Sequence, residues 1–301
     1  MPRPADAPAV YLLSDYGTAD EFVGVVHAVL HRLAPSVPVI DLSHQVPPFD
    51  VAAGAAMLVR SALHLGAGVV MAVVDPGVGT GRRAVAVGVD SRGPSWLVGP
   101  DNGLLVPLGQ ALGGMRAAFD LDPGPRHDRG PTATFDGRDV FAPAAAHLVG
   151  GGRPGELGPE FDPLTLVPLP SVPVARPEAD GSGVVTGVDW IDRFGNAQLQ
   201  IGPSTLVELG LSVGAVAWVT VQPAAPGGAG SGATVRAGPS RPARWVGGFG
   251  QLDPAELGLL IDANGRMALV LDRASAASAL GVAGGGGTVR IAVAPPSAPA
   301  L

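Results

Sequence analysis

The sequence predicts an α/β N-terminal domain with a mainly parallel layered sheet, followed by a smaller all-β, barrel-like C-terminal domain. Three observations carry that expectation. Short apolar runs alternate with helical periodicity through the first half. A run rich in proline and leucine then interrupts the pattern. Beyond it the helical period is lost, and short apolar stretches separated by glycine follow. The division reads as 1-165 for the α/β catalytic domain, 166-178 for a Pro-rich linker and 179-301 for the β-barrel-like domain.

The elements justify this in order. Residues 9–13 form an apolar strand that ends in Ser14-Asp15-Tyr16-Gly17-Thr18. A helix opens there, with Asp20 and Glu21 in its first turn, where carboxylates suit the dipole. Phe22, Val23, Val26, Val29 and Leu30 supply its apolar stripe. Residues 39–42 read as a second strand, and a Pro47-Pro48 turn leads to a helix from about Phe49 to Leu65. Residues 68–74 are a buried strand that breaks into Asp75-Pro76-Gly77-Val78-Gly79-Thr80-Gly81-Arg82. Strands at 84–89 and 96–98, a Pro100-Asp101-Asn102-Gly103 turn and an alanine-rich helix beyond Pro143 complete the half. In the second half, strands are expected at 183–188, 196–201, 215–221, 233–237, 259–262, 267–271 and 288–293, with hairpin tips at 224–232 and 284–287.

Composition narrows the chemistry. With 301 residues, 47% of them hydrophobic, the chain can bury a large core. No lysine occurs, so all 19 basic residues are arginine, which excludes Schiff-base chemistry and a P-loop lysine. The absence of cysteine excludes disulfides, thiolate catalysis and Cys-ligated metal. A net charge of -7 without a basic block argues against a nucleic-acid partner. No apolar signal core opens the chain and no stretch reads as a bilayer span, so a soluble cytoplasmic protein is expected. His27 and His31 have the i, i+4 spacing of a metal pair, but no third ligand is evident, and His64 and His147 read as lone or packed histidines. No metal is expected.

The chemistry concentrates at strand ends. Asp15, Asp41 and Asp75 each sit near the end of an expected strand, and the carboxyl edge of an open sheet is where such folds place ligands. Arg82, seven residues after Asp75, can return across the glycine-rich turn and hold that carboxylate in a fixed direction.

Five stretches carry a resemblance that spans nearly the whole chain. They are Ser14-Asp15-Tyr16-Gly17 with Asp20, Asp75-Pro-Gly-Val-Gly-Thr with Arg82, Pro100-Asp-Asn-Gly-Leu, Thr134-Phe-Asp-Gly-Arg-Asp and Asp192-Arg-Phe-Gly-Asn196. In this order they resemble the S-adenosyl-L-methionine (SAM) hydroxide adenosyltransferases, or SAM hydrolases, relatives of the SAM-dependent fluorinase and chlorinase. The resemblance implies attack of water or hydroxide at ribose C5′, releasing adenosine and L-methionine, with SAM as substrate and no cofactor. It also implies a homotrimer whose active sites lie between one subunit's N-terminal domain and its neighbour's β-rich domain.

By match, Asp75 and Arg82 handle the nucleophile, Asp15 holds the ribose hydroxyls and Asp20 lies near the amino-acid end. Phe49 and Thr134 line the ribose pocket. Asn196, Phe249, Arg273 and Ala274 approach adenine and methionine from the neighbour, with Asp189, Glu256 and Asn264 as further candidates at the methionine end. The hydrolases carry histidine where this chain has Asp136. Two carboxylates sharing one arginine could hold a proton between them, or His127 could reach in. Asp75 where the halogenases carry tyrosine, Gly137 where the fluorinase has its halide-contacting serine, and the short loop at 90–94 all point to water as nucleophile. A SAM- or adenosine-binding protein without turnover is the alternative, and a halogenase a further one.

Overall fold

The computed structural model describes residues 7–121, 134–169, 175–222, 238–282 and 287–295. The chain divides into two compact units, Met1–Pro170 and Ser171–Leu301.

The first unit is built on a seven-stranded sheet of order β2-β1-β3-β5-β4-β6-β7. Its strands are β1 Ala9–Ser14, β2 Val39–Ser43, β3 Gly68–Val73, β4 Ala84–Val89, β5 Pro94–Pro100, β6 Met115–Asp120 and β7 Glu160–Phe161. The block β2-β1-β3-β5 is parallel, and β4, β6 and β7 continue it antiparallel. Every residue of β1 is buried, the mark of a strand covered on both faces. Val10 and Leu12 pack with Val26 and Leu30 of helix α1 (Phe22–Leu33) and with Ala144, Ala145 and Ala146 of α4 (Ala142–Val149). Tyr11 and Leu13, alternating with them, face the opposite side, where α2 (Val51–Ser61) packs on α3 (Val106–Ala111).

Two local details depart from the pattern reading. Helix α1 starts at Phe22, so Asp20 and Glu21 precede it and no acidic residue lies in its first turn. Helix α2 starts at Val51 because Asp50 caps it, accepting from the Ala53 amide at 2.9 Å, and Phe49 stays outside at φ 67°.

The second unit closes into a barrel. Its strands are β8 Arg176–Pro177, β9 Gly183–Ile191, β10 Ala197–Leu199, β11 Val216–Gln222, β12 Arg241–Trp245, β13 Leu257–Ile261, β14 Met267–Val270 and β15 Thr288–Ala292. The order is β10-β14-β13-β12-β11-β15-β9-β8, and a further β10–β9 pairing closes seven of them on themselves. Closure leaves no free edge around the ring, and β8 hangs on β9 outside it. Val184, Leu199, Val219, Leu259, Leu269 and Ile291, each fully buried, fill the interior. Short helices α5 (Pro203–Glu208) and α6 (Ala276–Leu280) pack against the strands.

Strand β12 has no counterpart in the sequence reading, and neither do β6, β7 and β8. The strand expected at 233–237 and the hairpin tip at 224–232 lie outside the described residues. The Pro-rich stretch is partly structured at both ends: Val167 donates its amide to Asp101 at 2.8 Å, and Arg176–Pro177 pairs with β9. No helix among the described residues is long and apolar enough to cross a membrane.

Leu12, 1% exposed in the middle of β1, tests the first core. Leu12→Ala should cost about 2–5 kcal/mol in chemical unfolding followed by circular dichroism. Leu63→Ala, at a side chain 95% exposed, should change stability by less than about 0.5 kcal/mol.

Candidate functional site

Strands β1 and β3 lie side by side and parallel, with Ser14 opposite Val73, and their carboxyl ends open a cleft. Here the chain order reverses, β1 running out to β2 on one side and β3 lying on the other, which is the crevice position of open α/β sheets. Asp15 and Asp75 therefore emerge at one edge. The Asp15 amide donates to the Val73 carbonyl at 3.3 Å, tying the two strand ends together. The cleft encloses about 270 Å³ and is lined by Asp15, Tyr16, Phe22, Phe49, Asp75, Thr134, Asp136 and Gly137 among others.

The glycine-rich turn does what its composition suggests. The Val78 amide returns to the Asp75 carbonyl, and Thr80 Oγ1 donates to the Gly77 carbonyl at 2.7 Å. The turn brings Arg82 back over Asp75. Arg82 Nε donates to Asp75 Oδ1 at 3.0 Å, Nη2 donates to Asp75 Oδ2, and the same Nη2 donates to Asp136 Oδ2 at 2.8 Å. One guanidinium thus bridges two carboxylates. All three side chains are buried, at 9%, 6% and 11% exposure for Arg82, Asp75 and Asp136. Phe141 lies under the guanidinium, its ring centroid 5.5 Å away.

Burial pushes the Asp75 carboxyl above its ordinary range, with Asp136 adding to the rise and the Arg82 pairing and the Gly77 amide opposing it. Tyr16 is raised for a related reason, since its phenol is buried among Asp15, Asp75 and Asp136. Its ring joins Phe22 and Phe135 in a cluster with centroids 5.3 to 5.8 Å apart, in which Phe135 meets both other rings edge to face and Tyr16 and Phe22 are tilted, and this cluster walls the cleft. Phe22 thus serves this wall and not the core stripe of α1, and it is 39% exposed.

Asp136 directly precedes a single π-turn, Gly137–Phe141, which runs straight into α4. A side chain at Gly137 has no room, because its Cβ would stand 2.2 Å from the Tyr16 hydroxyl. Phe49, 70% exposed, is held in its left-handed conformation with its amide donating to Asp15 Oδ2 at 2.9 Å. That strained residue at a cleft rim is a functional signal in its own right. Behind the site, Asn102 Nδ2 donates to the Val74 carbonyl at 2.8 Å, bracing the strand end that presents Asp75. Buried Asp101 holds Arg83, whose Nε donates to it at 2.8 Å.

Of the residues singled out in the sequence, Asp15, Phe49, Asp75, Thr134 and Asp136 line the cleft, and Arg82 is hydrogen-bonded to two of them. Asp20 lies on the exposed segment ahead of α1, outside that lining. Asp41 does not join the aspartates at the edge: it sits within β2 and pairs with His27 and His44. His127 lies outside the described residues. Tyr16 and Phe135 also line the cleft, and their adjacency in sequence to Asp15 and Asp136 is the signal that they share the site.

The remaining candidates belong to the second unit. Asn196 is buried, and Asp192 accepts from its side-chain Nδ2 at 2.8 Å and from its amide at 2.9 Å, which leaves Asn196 Oδ1 buried without a hydrogen-bond partner. Gly195, at φ 83°, packs on Ser275, where a Cβ would stand 2.1 Å from the hydroxyl. The turn at Asn196 is thereby set beside the exposed turn of Arg273 (φ 52°) and Ala274. Phe249 opens a separate turn, 41% exposed. Asp189 is half-buried in β9, and Asn264 lies on the exposed turn after β13. Glu256 is clamped by Arg244, accepting from Nε at 2.7 Å and Nη2 at 2.6 Å, and its carboxyl is lowered to about 2 mainly by that pairing.

Fold and site together define a two-unit protein with a paired-carboxylate and guanidinium centre at the carboxyl edge of its α/β sheet. The family models of the SAM hydroxide adenosyltransferase N-terminal domain and C-terminal domain match residues 10–158 and 186–289, and the chain belongs to this family. It is similar to the (R)-S-adenosyl-L-methionine hydrolase of Salinispora tropica, 44% identical over 93% of this chain and 97% of that one. It is more distantly similar to the fluorinase of Actinopolyspora mzabensis, 28% identical over 69% of this chain and 76% of that one. The crystal structure of an uncharacterized conserved protein from Thermotoga maritima superposes with a TM-score of 0.79 at 28% identity, covering 94% of this chain and 99% of that one.

Removing the cation should expose the cost of the two carboxylates. Arg82→Met should destabilise the fold by about 3–5 kcal/mol at pH 7, because a buried charge set loses its partner. The loss should shrink as pH falls and the carboxylates take up protons. Thermal melts at neutral and acidic pH check this.

Proposed function

We propose that this chain hydrolyses S-adenosyl-L-methionine, with water or hydroxide attacking ribose C5′ to give adenosine and L-methionine. The observation that carries this reading is the guanidinium of Arg82 bridging buried Asp75 and Asp136 in a cleft that Asp15 and four aromatic rings also line. In the reaction a C5′–O bond forms while the C5′–S bond breaks, and its electron pair stays on sulfur. The sulfonium leaves as a neutral thioether, so no acid is needed at the leaving group. The task reduces to placing one oxygen in line with C5′ and taking its proton.

Asp75 is the base that orients and deprotonates the water, and Arg82 stabilises the developing hydroxide. Asp136 stands where the family hydrolases carry histidine. It supplies a second carboxylate, so that the pair titrates as a unit and can pass one proton between them. Asp15 accepts from the ribose hydroxyls with the lone pairs left beside the Phe49 amide. Phe49 and Thr134 close on the sugar, and Asp20 lies toward the amino-acid end.

The assembly belongs to the same proposal. In a homotrimer, Asn196, Phe249 and the backbone at Arg273 and Ala274 of a neighbouring copy bind adenine and methionine, with Asp189, Glu256 and Asn264 at the methionine end. No cofactor beyond the substrate enters this chemistry, and the setting is cytoplasmic, without a nucleic-acid partner. A second reading, binding without turnover, rests on Asp136 alone, since a carboxylate there adds negative charge where the family has a histidine. Halogenation is disfavoured because Gly137 offers no side chain to a halide and Tyr16 occupies the space of one.

Incubation of the purified chain with SAM in heavy-oxygen water should give adenosine labelled at the 5′ oxygen plus methionine. Tight binding of SAM with no adenosine would establish the second reading instead. Asp75→Asn should lower kcat by about 10²–10⁴. The acid limb of kcat/KM should lie above the ordinary aspartate value of 3.8, because burial and Asp136 raise Asp75 and the base must be ionised to act. Asp136→Asn removes one of those raising charges, so it should move the limb to lower pH.

A further inference from the structure

We propose that His27, Asp41 and His44 form a binding site for a divalent transition cation between α1 and β2, outside the lining of the cleft. The three residues come from α1, from within β2 and from the segment just after it, and their ligand atoms all lie within 4.8 Å of one another. Sequence spacing pairs His27 with His31, whereas the fold pairs it with Asp41. His27 Nε2 lies 2.9 Å and His44 Nε2 3.1 Å from the same carboxylate oxygen, Asp41 Oδ1.

His44 is the independent observation. It is 6% exposed, yet its Nε2, although 3.1 Å from Asp41 Oδ1, has no hydrogen-bond partner. Its other nitrogen, Nδ1, is held 2.7 Å from buried Ser14 Oγ, the kind of outer contact that fixes a ligating imidazole. A buried imidazole nitrogen aimed beside a carboxylate oxygen, with a second imidazole closing the set, is a borderline-soft donor set of two nitrogens and one oxygen. Such sets favour Zn²⁺, Co²⁺ or Ni²⁺ over Mg²⁺ or Ca²⁺.

Tetrahedral ligands around zinc stand about 3.3 Å apart, given metal–ligand bonds near 2.0–2.1 Å. The two observed nitrogen-to-oxygen separations need open by only a few tenths of an ångström. His27 and Asp41 are partly exposed, at 36% and 41%, which provides an entry path and room for water at the fourth position. The site would also steady the cleft from outside. Ser14 Oγ accepts from the Tyr16 amide at 3.3 Å, and the His44 carbonyl accepts from the Gly17 amide at 2.8 Å.

The test uses the full-length chain, stripped with chelator and titrated calorimetrically with zinc chloride and separately with magnesium chloride. One zinc per chain and no heat from magnesium are expected. His27→Ala and Asp41→Asn should each weaken zinc binding by more than about tenfold, while His31→Ala and His64→Ala should leave it unchanged. His44 is kept, since its buried ring also holds Ser14, and circular dichroism confirms that each variant is folded. Cobalt(II) loading should give visible d–d absorption that is lost in Asp41→Asn. Absence of stoichiometric zinc binding by the wild-type chain overturns the proposal. So does binding that survives both His27→Ala and Asp41→Asn, or that is lost in His31→Ala.

Discussion

A guanidinium shared between two buried carboxylates is the constraint on which the rest of the first unit depends. Taking three charges out of water costs several kcal/mol for each, and only close pairing offsets that. The surroundings are arranged to keep the pairing intact. The turn of Gly77 and Thr80 brings Arg82 back, Asn102 braces the carbonyl before Asp75, and the π-turn at Gly137 presents Asp136 from the opposite side. With both carboxylates ionised the triad carries one net negative charge, which suits a cationic sulfonium in the ground state. Under the proposed reaction the guanidinium is nevertheless the group that meets negative charge as it builds on the nucleophile. This division of labour needs no acid at the leaving group.

The choice of nucleophile is written in what the cleft lacks room for. The Tyr16 hydroxyl stands where a side chain at position 137 would begin, and its phenol is kept protonated by burial among three aspartates. A protonated phenol next to Asp75 and Asp136 is a hydrogen-bond donor and not a base. Under the proposed reaction this leaves the carboxylates as the groups able to accept the proton of water.

Much of the first unit was legible because its strands are short apolar runs closed by aspartate or glycine, as at Ser14-Asp15 and Val73-Val74-Asp75. The Asp75 and Arg82 pairing was legible because a glycine-rich turn of seven residues can return on itself. Asp41 was misread because its strand lies at the sheet edge, where an aspartate can point out to histidines as easily as in to a cleft. Phe22 was misread because helical spacing cannot tell a core face from a pocket wall. In the barrel, β12 was missed because Arg241-Pro-Ala-Arg-Trp245 carries two arginines and a proline in five residues. The clamp of Arg244 on Glu256 was not legible, because no pattern in sequence announces a pairing of two side chains twelve residues apart. The cluster of His27, Asp41 and His44 is a tertiary arrangement, and linear spacing concealed it by offering His31 in its place.

The central claim is that Asp75 and Arg82 jointly hold one solvent oxygen behind the sulfonium-bearing carbon. The most direct measurement is a crystal structure of the slow Asp75→Asn variant soaked with S-adenosyl-L-methionine. The account predicts an ordered water within hydrogen-bonding distance of both Arg82 and the substituted carboxamide, in line with the C5′–S bond, with the ribose hydroxyls on Asp15. A nucleoside bound with C5′ turned away from these two positions, or bound elsewhere on the chain, would contradict it.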